Sequence, residues 1–389
     1  MPKKKTDEFI MARFTLPRDV YFGENAMENL KTLKGKKAIV VVGGGSMKRF
    51  GFLDKAVGYL KEAGFEVELF EGVEPDPSVE TVMRGAEAMR KFEPDWIVAI
   101  GGGSPIDAAK AMWAFYEYPE VTFESLCVPF NFPELRTKAK FCAISSTSGT
   151  ATEVTAFSVI TDYTKGIKYP LADFNITPDV AIVDPELAQT MPQKLVAHTG
   201  MDALTHAIEG YITKGAWELS DMFHIKAIEI IARSLRDAVK NGKEGREGMA
   251  LGQYVAGMGF SNVGLGVDHS MAHTLSAYYD TPHGKACAIL LPAVMAYNAE
   301  YTGEKYKDIA RAMGVEGVDN MTKEEYRKAA VDAVRKLSED VGIPSTLKGI
   351  VKEEDIPALA ESAYADACRP GNPRDTSVEE IAEIYRSLM

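Results

Sequence analysis

The first half of the chain alternates short apolar runs, rich in β-branched residues, with amphipathic helical stretches. The apolar runs are AIVVV (38–42), VELF (67–70), WIVAI (96–100), AKFCAIS (139–145) and VAIVD (180–184). Strands that are separated by helices in this way pair in parallel, because each helix crosses over the sheet before the next strand begins. The pattern therefore predicts an α/β unit with a doubly wound, Rossmann-like parallel sheet.

The pattern changes near Pro192, where helical periodicity replaces the strand-like runs. The helical segments are MDALTHAIEGYI, SDMFHIKAIEIIARSLRDAV, EYRKAAVDAVRKLSEDV and VEEIAEIYRSL. The polar stretch NGKEGREG (241–248) is short enough to predict a loop between two helices. A chain of 389 residues is long enough for two domains, so we expect an α/β domain over residues 1–191 and an all-helical domain over residues 192–389.

Composition excludes several classes of protein. Hydrophobic residues make up 46% and charged residues 26% of the chain, no apolar run is long enough to span a bilayer, and the start MPKKKTDEF has no apolar core of a secretory signal. The net charge of -12 disfavours a nucleic-acid partner. The four cysteines lack C-x-x-C spacing, which predicts reduced thiols. We expect a cytoplasmic protein that binds neither a membrane nor nucleic acid.

Three glycine-rich turns each follow a predicted strand. They are GGGSMKRFG (43–51), GGGSPIDAAKAMW (101–113) and STSGTATE (146–153). Glycine allows backbone amides to approach a ligand closely, and Pro105 fits the first turn of a helix whose N-terminus favours an anion. Three such turns at the carboxyl ends of neighbouring strands predict a nucleotide crevice. The G-x-G-x-x-G fingerprint is absent, so the usual Rossmann motif is not indicated.

Two clusters in the second half have the spacing of metal ligands. Asp202 and His206 lie four residues apart in a helical segment, His269 and His273 repeat that spacing, and His283 follows ten residues later. A carboxylate with several imidazoles suits Fe(II) or Zn(II), and the absence of a nearby thiolate in the sequence disfavours softer metals.

The neighbouring polar residues have less specific patterns. His198 and His224 are interpreted as ordinary helix or loop residues, and Asp268 as a possible acceptor behind a metal ligand. A metallohydrolase, in which the same cluster activates water, is an alternative from a different class. It leaves the three glycine turns without a role.

The motifs D-A-L-T-H-A, H-S-M-A-H and T-P-H-G, preceded by a glycine-turn half, resemble the iron-containing (group III) alcohol dehydrogenase family. The resemblance implies the two-domain architecture of dehydroquinate synthase-like enzymes and a homodimer. It also implies that the metal, Fe(II) or possibly Zn(II), is bound by Asp202, His206, His269 and His283. His273 matches the histidine that lies near the nicotinamide and is the expected catalytic residue.

The expected coenzyme is NAD(P)(H). We expect the following contacts with it: Gly43, Gly44, Gly45, Ser46, Asp76, Gly102, Gly103, Ser104, Asp107, Ser146, Thr147, Thr150, Lys168 and Leu187. Many members of the family have an acidic residue, which would bind the ribose 2′-hydroxyl, where this chain has Gly43. Without that carboxylate, a 2′-phosphate fits beside Ser46, Lys48 and Arg49, which favours NADP(H) over NAD(H).

Within the family, the second half is most similar to lactaldehyde reductases and the first half to butanol dehydrogenases. Phe260 and Leu265 are expected to line an apolar substrate pocket, and Ala156 replaces a polar Asn near the substrate. We therefore predict hydride transfer between NAD(P)(H) and a short-chain primary alcohol, such as butanol or ethanol, or its aldehyde. Lactaldehyde reductase is the alternative, and a glycerol dehydrogenase or dehydroquinate synthase is a more distant one.

Overall fold

The computed structural model describes residues 12–389, and its first half contains a six-stranded, fully parallel sheet. In chain order the strands are β1 (Asp19–Phe22), β2 (Lys37–Val42), β3 (Glu66–Phe70), β4 (Trp96–Gly101), β5 (Lys140–Ser145), β6 (Phe157–Asp162), β7 (Ile167–Ala172) and β8 (Val180–Val183). The order across the sheet is β1-β8-β5-β4-β2-β3, and the five predicted strands are all in it. The predicted α/β fold class is confirmed.

The strand order reverses between β2 and β4. From β2 the chain crosses outward to β3, then returns to the other side of β2 to form β4, and β5 follows on the far side of β4. Adjacent crossovers therefore leave the sheet in opposite directions at this point, which opens a crevice beyond the carboxyl ends of the two strands. The glycine turns that begin at Gly43 and Gly101 lie there.

Six helices accompany this sheet, and they are α1 (Ser46–Arg49), α2 (Phe52–Glu62), α3 (Val79–Phe92), α4 (Gly103–Glu117), α5 (Phe123–Leu126) and α6 (Pro185–Ala188). Helix α4 is apolar on almost every side and buried along most of its length. It is covered by the sheet on one side and by an antiparallel hairpin, β6 with β7, on the other. The sequence pattern did not predict β1 or this hairpin, because their burial is too uneven to produce a clear apolar run.

The second half is helical. Its helices are α7 (Gln193–Ile212), α8 (Glu218–Val239), α9 (Lys243–Val263), α10 (Val267–Tyr279), α11 (His283–Asn298), α12 (Lys305–Ala312), α13 (Lys323–Asp340), α14 (Ile356–Ala365) and α15 (Val378–Ser387). This confirms the predicted helical region. Among residues 12–389, none of these helices is long and apolar enough to cross a membrane.

The prediction of a loop over residues 241–248 was wrong, because α9 begins at Lys243. The glycines that suggested a loop instead allow α8 and α9 to pack closely, since a Cβ at Gly245 or Gly248 would collide with α8. Arg246 is buried in the same segment and donates hydrogen bonds to backbone carbonyls at the end of α8 and in the link between the two halves. These contacts stabilise a helix where the local sequence favours a turn.

His224 on α8 is completely buried where α7, α8 and α9 meet. A Cβ at Gly210 or Gly259 would collide with its ring, so two glycines form the slot that holds the imidazole. Neither ring nitrogen has a hydrogen-bond partner. Burial lowers the pKa of His224 from 6.5 to about 3, because a charged imidazolium cannot be solvated there.

The buried neutral His224 should make stability depend on pH. The pKa of His224 is lower in the folded than in the unfolded chain. Its contribution to the free energy of unfolding is therefore complete above about pH 6.5 and decreases as the pH falls towards 3. Between pH 7.5 and 5.5 the wild type should lose about 1.4 kcal/mol more free energy of unfolding than His224→Asn does. Urea denaturation of both proteins at the two pH values measures these losses. The other histidines are present in both proteins, so their effects cancel in the comparison. Equal losses would contradict the assignment.

Candidate active site

Three helices bring the four predicted metal ligands together. Helix α7 carries Asp202 and His206 one turn apart, while α10 and α11 carry His269 and His283. The Asp202 Oδ1 atom lies 3.5 Å from His283 Nε2, 3.9 Å from His269 Nε2 and 3.9 Å from His206 Nδ1. One oxygen therefore lies within 3.9 Å of three imidazole nitrogens.

Three of these four atoms have no hydrogen-bond partner. Asp202 Oδ1, His206 Nδ1 and His269 Nε2 are buried and make no hydrogen bond. Burial raises the pKa of Asp202 to about 7 and lowers the pKa of all three histidines, so the imidazoles are neutral, the form that binds metals. Buried polar atoms without partners are costly, and a divalent cation at this point would satisfy them. The donor set fits Fe(II) or Zn(II).

Glu209 orients His269. The Nδ1–H of His269 donates to Glu209 Oε2 at 2.7 Å, which leaves Nε2 with its lone pair directed at Asp202. The backbone amides of Asp268 and His269 also donate to this carboxylate. The sequence interpretation gave such a role to Asp268, but the Asp268 oxygens make no hydrogen bond and Glu209 is the acceptor. Glu209 lies seven residues after Asp202 on the same face of α7, a spacing from which the sequence could have indicated this role.

His273 lies beside the cluster and is held by a carboxylate from another helix. Its Nδ1–H donates to Asp366 Oδ2 at 2.9 Å, and Asp366 also accepts hydrogen bonds from Ser270 Oγ and from the Cys368 amide. Burial lowers the pKa of His273, but the charge and hydrogen bond of Asp366 outweigh it and raise the pKa above 6.5. No sequence spacing connects residues 93 positions apart, and the sequence reasoning missed Asp366.

A thiol also lies at the cluster. Cys287 follows His283 by one turn of α11, and its Sγ is 3.6 Å from His283 Nε2. Together with Asp202 and His269 these residues offer four donor atoms within 4.8 Å of one another. The sequence analysis considered only the spacing between cysteines and not the i, i+4 relation of a cysteine to a histidine, so it did not anticipate a thiol beside the cluster.

A cavity of about 370 Å³ opens onto the cluster. Asp202, His206, His269, His273 and His283 lie on one side of it. The opposite walls are largely apolar and include Pro129, Phe130, Phe157, Val159, Phe260, Val263 and Leu265. The cavity also reaches Asp107 and Thr150, so it connects the metal cluster with the glycine turns.

The predicted substrate-pocket residues have different positions in the structure. Phe260 and Leu265 line the cavity, and the Phe260 ring stacks on His206 with centroids 4.2 Å apart. Ala156 is buried but is not part of the lining, which is formed by its neighbours Thr155 and Phe157. Ala156 thus lies directly behind the cavity wall, and its amide donates to Ser261 Oγ in the interior.

The predicted coenzyme residues lie mostly at the carboxyl edge of the sheet. Those in the three turns after β2, β4 and β5 are Gly43, Gly44, Gly45, Ser46, Gly102, Gly103, Ser104, Ser146, Thr147 and Thr150. Asp107 follows on α4, and an ion pair of 2.8 Å joins Lys168 to Asp76. Leu187 differs from the rest because its side chain is fully buried in the core beneath the sheet. The three turns thus place ten of the fourteen predicted coenzyme residues at the carboxyl edge of the sheet.

Lys110 connects the coenzyme side of the crevice to the cavity. Its Nζ is buried and donates to the backbone carbonyls of Thr152, Thr155 and Phe157 at 2.6–2.9 Å. It therefore ties α4, which starts at the glycine turn, to the segment that forms one wall of the cavity. The position of Lys110, three residues after Asp107, did not reveal this role in the sequence.

Two family models match the chain. The model described as iron-containing alcohol dehydrogenase matches residues 17–185, and the model described as the C-terminal part of the Fe-containing alcohol dehydrogenase family matches residues 196–389. The chain belongs to the iron-containing alcohol dehydrogenase family and is an oxidoreductase of that class. This membership removes the support for a metallohydrolase.

Similar proteins agree over the whole length. The NADPH-dependent butanol dehydrogenase of Clostridium saccharobutylicum is 58% identical, over 97% of this chain and 98% of that protein. The lactaldehyde reductase of Escherichia coli K12 is 47% identical, over 96% of this chain and 99% of that protein. The crystal structure of a 1,3-propanediol oxidoreductase superposes with a TM-score of 0.93 at 39% identity and covers 97% of this chain and 100% of that one.

Removing the carboxylate behind His269 should weaken metal binding. In Glu209→Gln an amide NH2 replaces one carboxylate oxygen, so the His269 ring is no longer fixed by a charged acceptor. The affinity of the protein for Co(II) should then fall about 10- to 100-fold. Competition with a chromophoric chelator measures this affinity. Glu153→Gln changes an equally buried carboxylate that has Gln253 as its partner, and should bind Co(II) like the wild type. Unchanged affinity in Glu209→Gln would show that Glu209 does not orient the ligand.

Proposed function

We propose that this protein is a metal-dependent alcohol dehydrogenase that interconverts short-chain primary alcohols, such as butanol or ethanol, and their aldehydes with NADP(H). The observation that carries the proposal is the cluster of Asp202, His206, His269 and His283, in which three donor atoms are buried without a hydrogen-bond partner and which faces an apolar cavity that reaches the glycine turns. These features bring a cation, an alcohol and a nicotinamide to one place. Binding them together supplies much of the catalytic effect, because it replaces random encounters by a fixed geometry.

The four residues of the cluster would hold Fe(II), with Zn(II) as the other ion that suits them. A bound divalent cation lowers the pKa of an alcohol and polarises a carbonyl, and the nicotinamide accepts or returns a hydride. His283 is the most exposed of the four ligands, with a third of its side chain accessible, so the substrate oxygen would reach the centre past this residue. Phe260 covers His206 and keeps water from that side.

His273 would carry the proton that the alcohol releases. It lines the cavity next to the cluster, and its Nδ1–H is engaged by Asp366, so Nε2 is the nitrogen that is free to exchange a proton. Asp366 is a positioning residue in this scheme, because it fixes the ring through a hydrogen bond and favours its protonated form. Its other two hydrogen bonds prevent the carboxylate from turning away.

The cavity favours an aliphatic substrate. Phe157, Val159 and Leu265 line the cavity with apolar surface. Burial of a substrate's methylene groups against them would make binding more favourable, but these side chains offer no hydrogen-bond partner to a second hydroxyl. The similarity to a butanol dehydrogenase supports the same assignment. The second candidate is lactaldehyde reduction, which the 47% identity to a lactaldehyde reductase favours.

The preference for NADP(H) follows from Gly43 at the end of β2. Ser46 and Lys48 are on the short helix that comes next, and Lys48 is exposed and pairs with Glu71 at 3.1 Å, so its ammonium group is near the crevice. A 2′-phosphate would meet a hydroxyl and a cation there, without a carboxylate at position 43. The printed name of the Clostridium relative, which specifies NADPH, supports this preference.

The two halves of the chain divide these tasks. We propose that residues 1–191 form the coenzyme domain and residues 192–389 the metal-binding and catalytic domain, in a cytoplasmic enzyme. Strand β1 is at the edge of the sheet and leaves Val20 and Phe22 nearly half exposed. This edge supports the expected homodimer, since an unpaired strand with apolar side chains is a natural contact surface.

Loss of one ligand should abolish turnover. His269→Ala removes an imidazole from the centre, so the protein should purify without a stoichiometric metal and lose more than about 100-fold in kcat/KM for butyraldehyde reduction, on the order of 3 kcal/mol. Anaerobic purification, metal quantification and NADPH absorbance measure both quantities. His198→Ala, on the same helix as Asp202 but outside the cluster, is the control and should retain metal and activity. Full activity in metal-free His269→Ala would refute the proposal.

The same assay separates the two substrates. Comparison of kcat/KM for butyraldehyde and lactaldehyde with the wild-type enzyme should favour butyraldehyde. A higher value for lactaldehyde would select the second candidate without affecting the metal assignment.

A carboxylate at position 43 should change the choice of coenzyme. Gly43→Asp would repel a 2′-phosphate and accept a hydrogen bond from the ribose, so the ratio of kcat/KM for NADPH over NADH should fall about tenfold or more, on the order of 1.4 kcal/mol. A Cβ at this position meets the Val73 carbonyl at 3.2 Å, a small strain that Gly43→Ala shares. Gly43→Ala should therefore keep the wild-type ratio. A wild type that prefers NADH would contradict the assignment.

A further inference from the structure

Phe130 is an aromatic residue whose position the stability of the fold does not explain. It is 64% exposed, so its ring contributes little to the core. Its φ of +59° lies in the left-handed region of the backbone, which glycine and asparagine occupy more readily than a bulky residue. Phenylalanine here therefore costs free energy of folding through backbone strain and through apolar surface left in water. Residues with such strain are frequent at ligand sites.

Contacts with residues 172–174 hold Phe130 in this conformation. Its backbone N–H donates to the carbonyl of Ala172, the last residue of β7, at 2.8 Å. The N–H of Phe132 donates to Asp173 Oδ2 at 3.1 Å, which holds the chain on the other side of the turn. The Phe130 ring packs against that of Phe174, with the ring centroids 5.3 Å apart. The position of the Phe130 ring is therefore well defined although the ring is exposed.

These contacts place Phe130 on the wall of the substrate cavity. Pro129, Phe130 and Ala172 all line the cavity, and the metal cluster lines its other side. Val128 belongs to the same loop and is also exposed, but it does not line the cavity. Since Phe130 is a lining residue and is largely open to solvent, it lies where the cavity meets the solvent.

The alkyl chain of a substrate is the occupant that this surface suits. The reacting oxygen would be at the metal cluster, so the rest of the molecule extends along the apolar walls towards the mouth of the cavity. The two lining residues of the loop, Pro129 and Phe130, have no polar side-chain atom. They can therefore cover methylene groups, whereas a charged or hydroxylated tail would lose hydration there without gaining a partner.

We propose that Phe130 is a specificity-determining residue, whose ring covers the distal methylene groups of longer aldehydes and alcohols at the mouth of the cavity. The inference rests on the proposed function, because that function places the reacting oxygen at the metal cluster. It adds a selection for chain length that the residues close to the cluster do not supply.

Aldehydes of increasing length test this assignment. Phe130→Ala should leave kcat/KM for acetaldehyde within about twofold of the wild-type value, because so short a chain buries no methylene group at the mouth. For hexanal the value should fall at least about fourfold, the effect of one methylene group that loses its apolar cover. The change should lie mainly in KM, because the distal chain takes no part in hydride transfer. NADPH absorbance measures both constants for acetaldehyde, butyraldehyde and hexanal.

Three further variants separate the ring from its surroundings. Val128→Ala removes an apolar side chain from the same loop and should keep the wild-type values for all three aldehydes. Phe130→Leu supplies another apolar side chain and should recover most of the hexanal activity. Phe130→Gly relieves the backbone strain and should lose as much as Phe130→Ala. Wild-type selectivity in Phe130→Gly would assign the effect to the backbone and overturn the proposal.

A binding measurement does not depend on turnover. Phe130→Trp places an indole at the mouth, and without added coenzyme its fluorescence should move to shorter wavelength when 1-hexanol binds and removes water from the ring. Ethanol at the same concentration should leave the emission unchanged. The spectrum of the wild type, which has three tryptophans, is subtracted, and Val128→Trp is the control that should not respond to either alcohol. No shift of Phe130→Trp with 1-hexanol would refute the contact.

The outcomes separate this inference from the proposed function. If the wild type reduces butyraldehyde but the loss in Phe130→Ala does not grow with chain length, the role of Phe130 is refuted and the proposed function stands. If the wild type reduces none of the three aldehydes, the proposed function fails and the selection for chain length fails with it. A change in the sedimentation of Phe130→Ala would assign the exposed ring to a contact between copies of the chain and would also refute its role.

Discussion

The architecture of the helical half depends on the surroundings of one buried oxygen, Asp202 Oδ1. Three imidazole nitrogens face it at 3.5–3.9 Å, and the oxygen and two of these nitrogens make no hydrogen bond, an arrangement that is unfavourable unless a cation lies among them. The four side chains come from α7, α10 and α11, so the cluster forms only where these three helices pack together. Glycines make the close approach possible, since a Cβ at Gly284 would collide with the backbone of α7. The geometry of the cluster and the packing of these helices are thus one constraint.

The sheet half is joined to this centre by a buried cation. Lys110 donates to three carbonyls of the segment that follows the third glycine turn, and that segment supplies Thr155 and Phe157 to the cavity wall. Each of these charge-assisted hydrogen bonds is strong in a dry interior, and an unpaired carbonyl there would be costly. The cavity therefore has its shape only when α4, which starts at a glycine turn, is in place. The glycine turn and the cavity wall are linked through one side chain.

The sequence predicted features that depend on local spacing. Five strands have the strong apolar runs of buried parallel strands, and the i, i+4 pairs located Asp202, His206 and His269 on one side of their helices. Features set by contacts between distant segments were missed. Asp366 reaches His273 from another helix, and the 241–248 segment is helical because its glycines pack against α8. Cys287 had a local signal, its spacing from His283, but the pattern used for cysteines did not include it.

Features set by local spacing can be predicted from the sequence, whereas features set by contacts between distant segments cannot, and the difference has a physical reason. The identity of a ligand is a local property, because a helix alone places residues i and i+4 on one side. The orientation and chemical character of that ligand depend on partners such as Glu209, Asp366 and Cys287, which only the packed structure brings near. Those partners change metal affinity and proton transfer without changing the ligand motif. A substitution at one of these partners would therefore change the chemistry of the cluster while the D-x-x-x-H and H-x-x-x-H patterns stay the same.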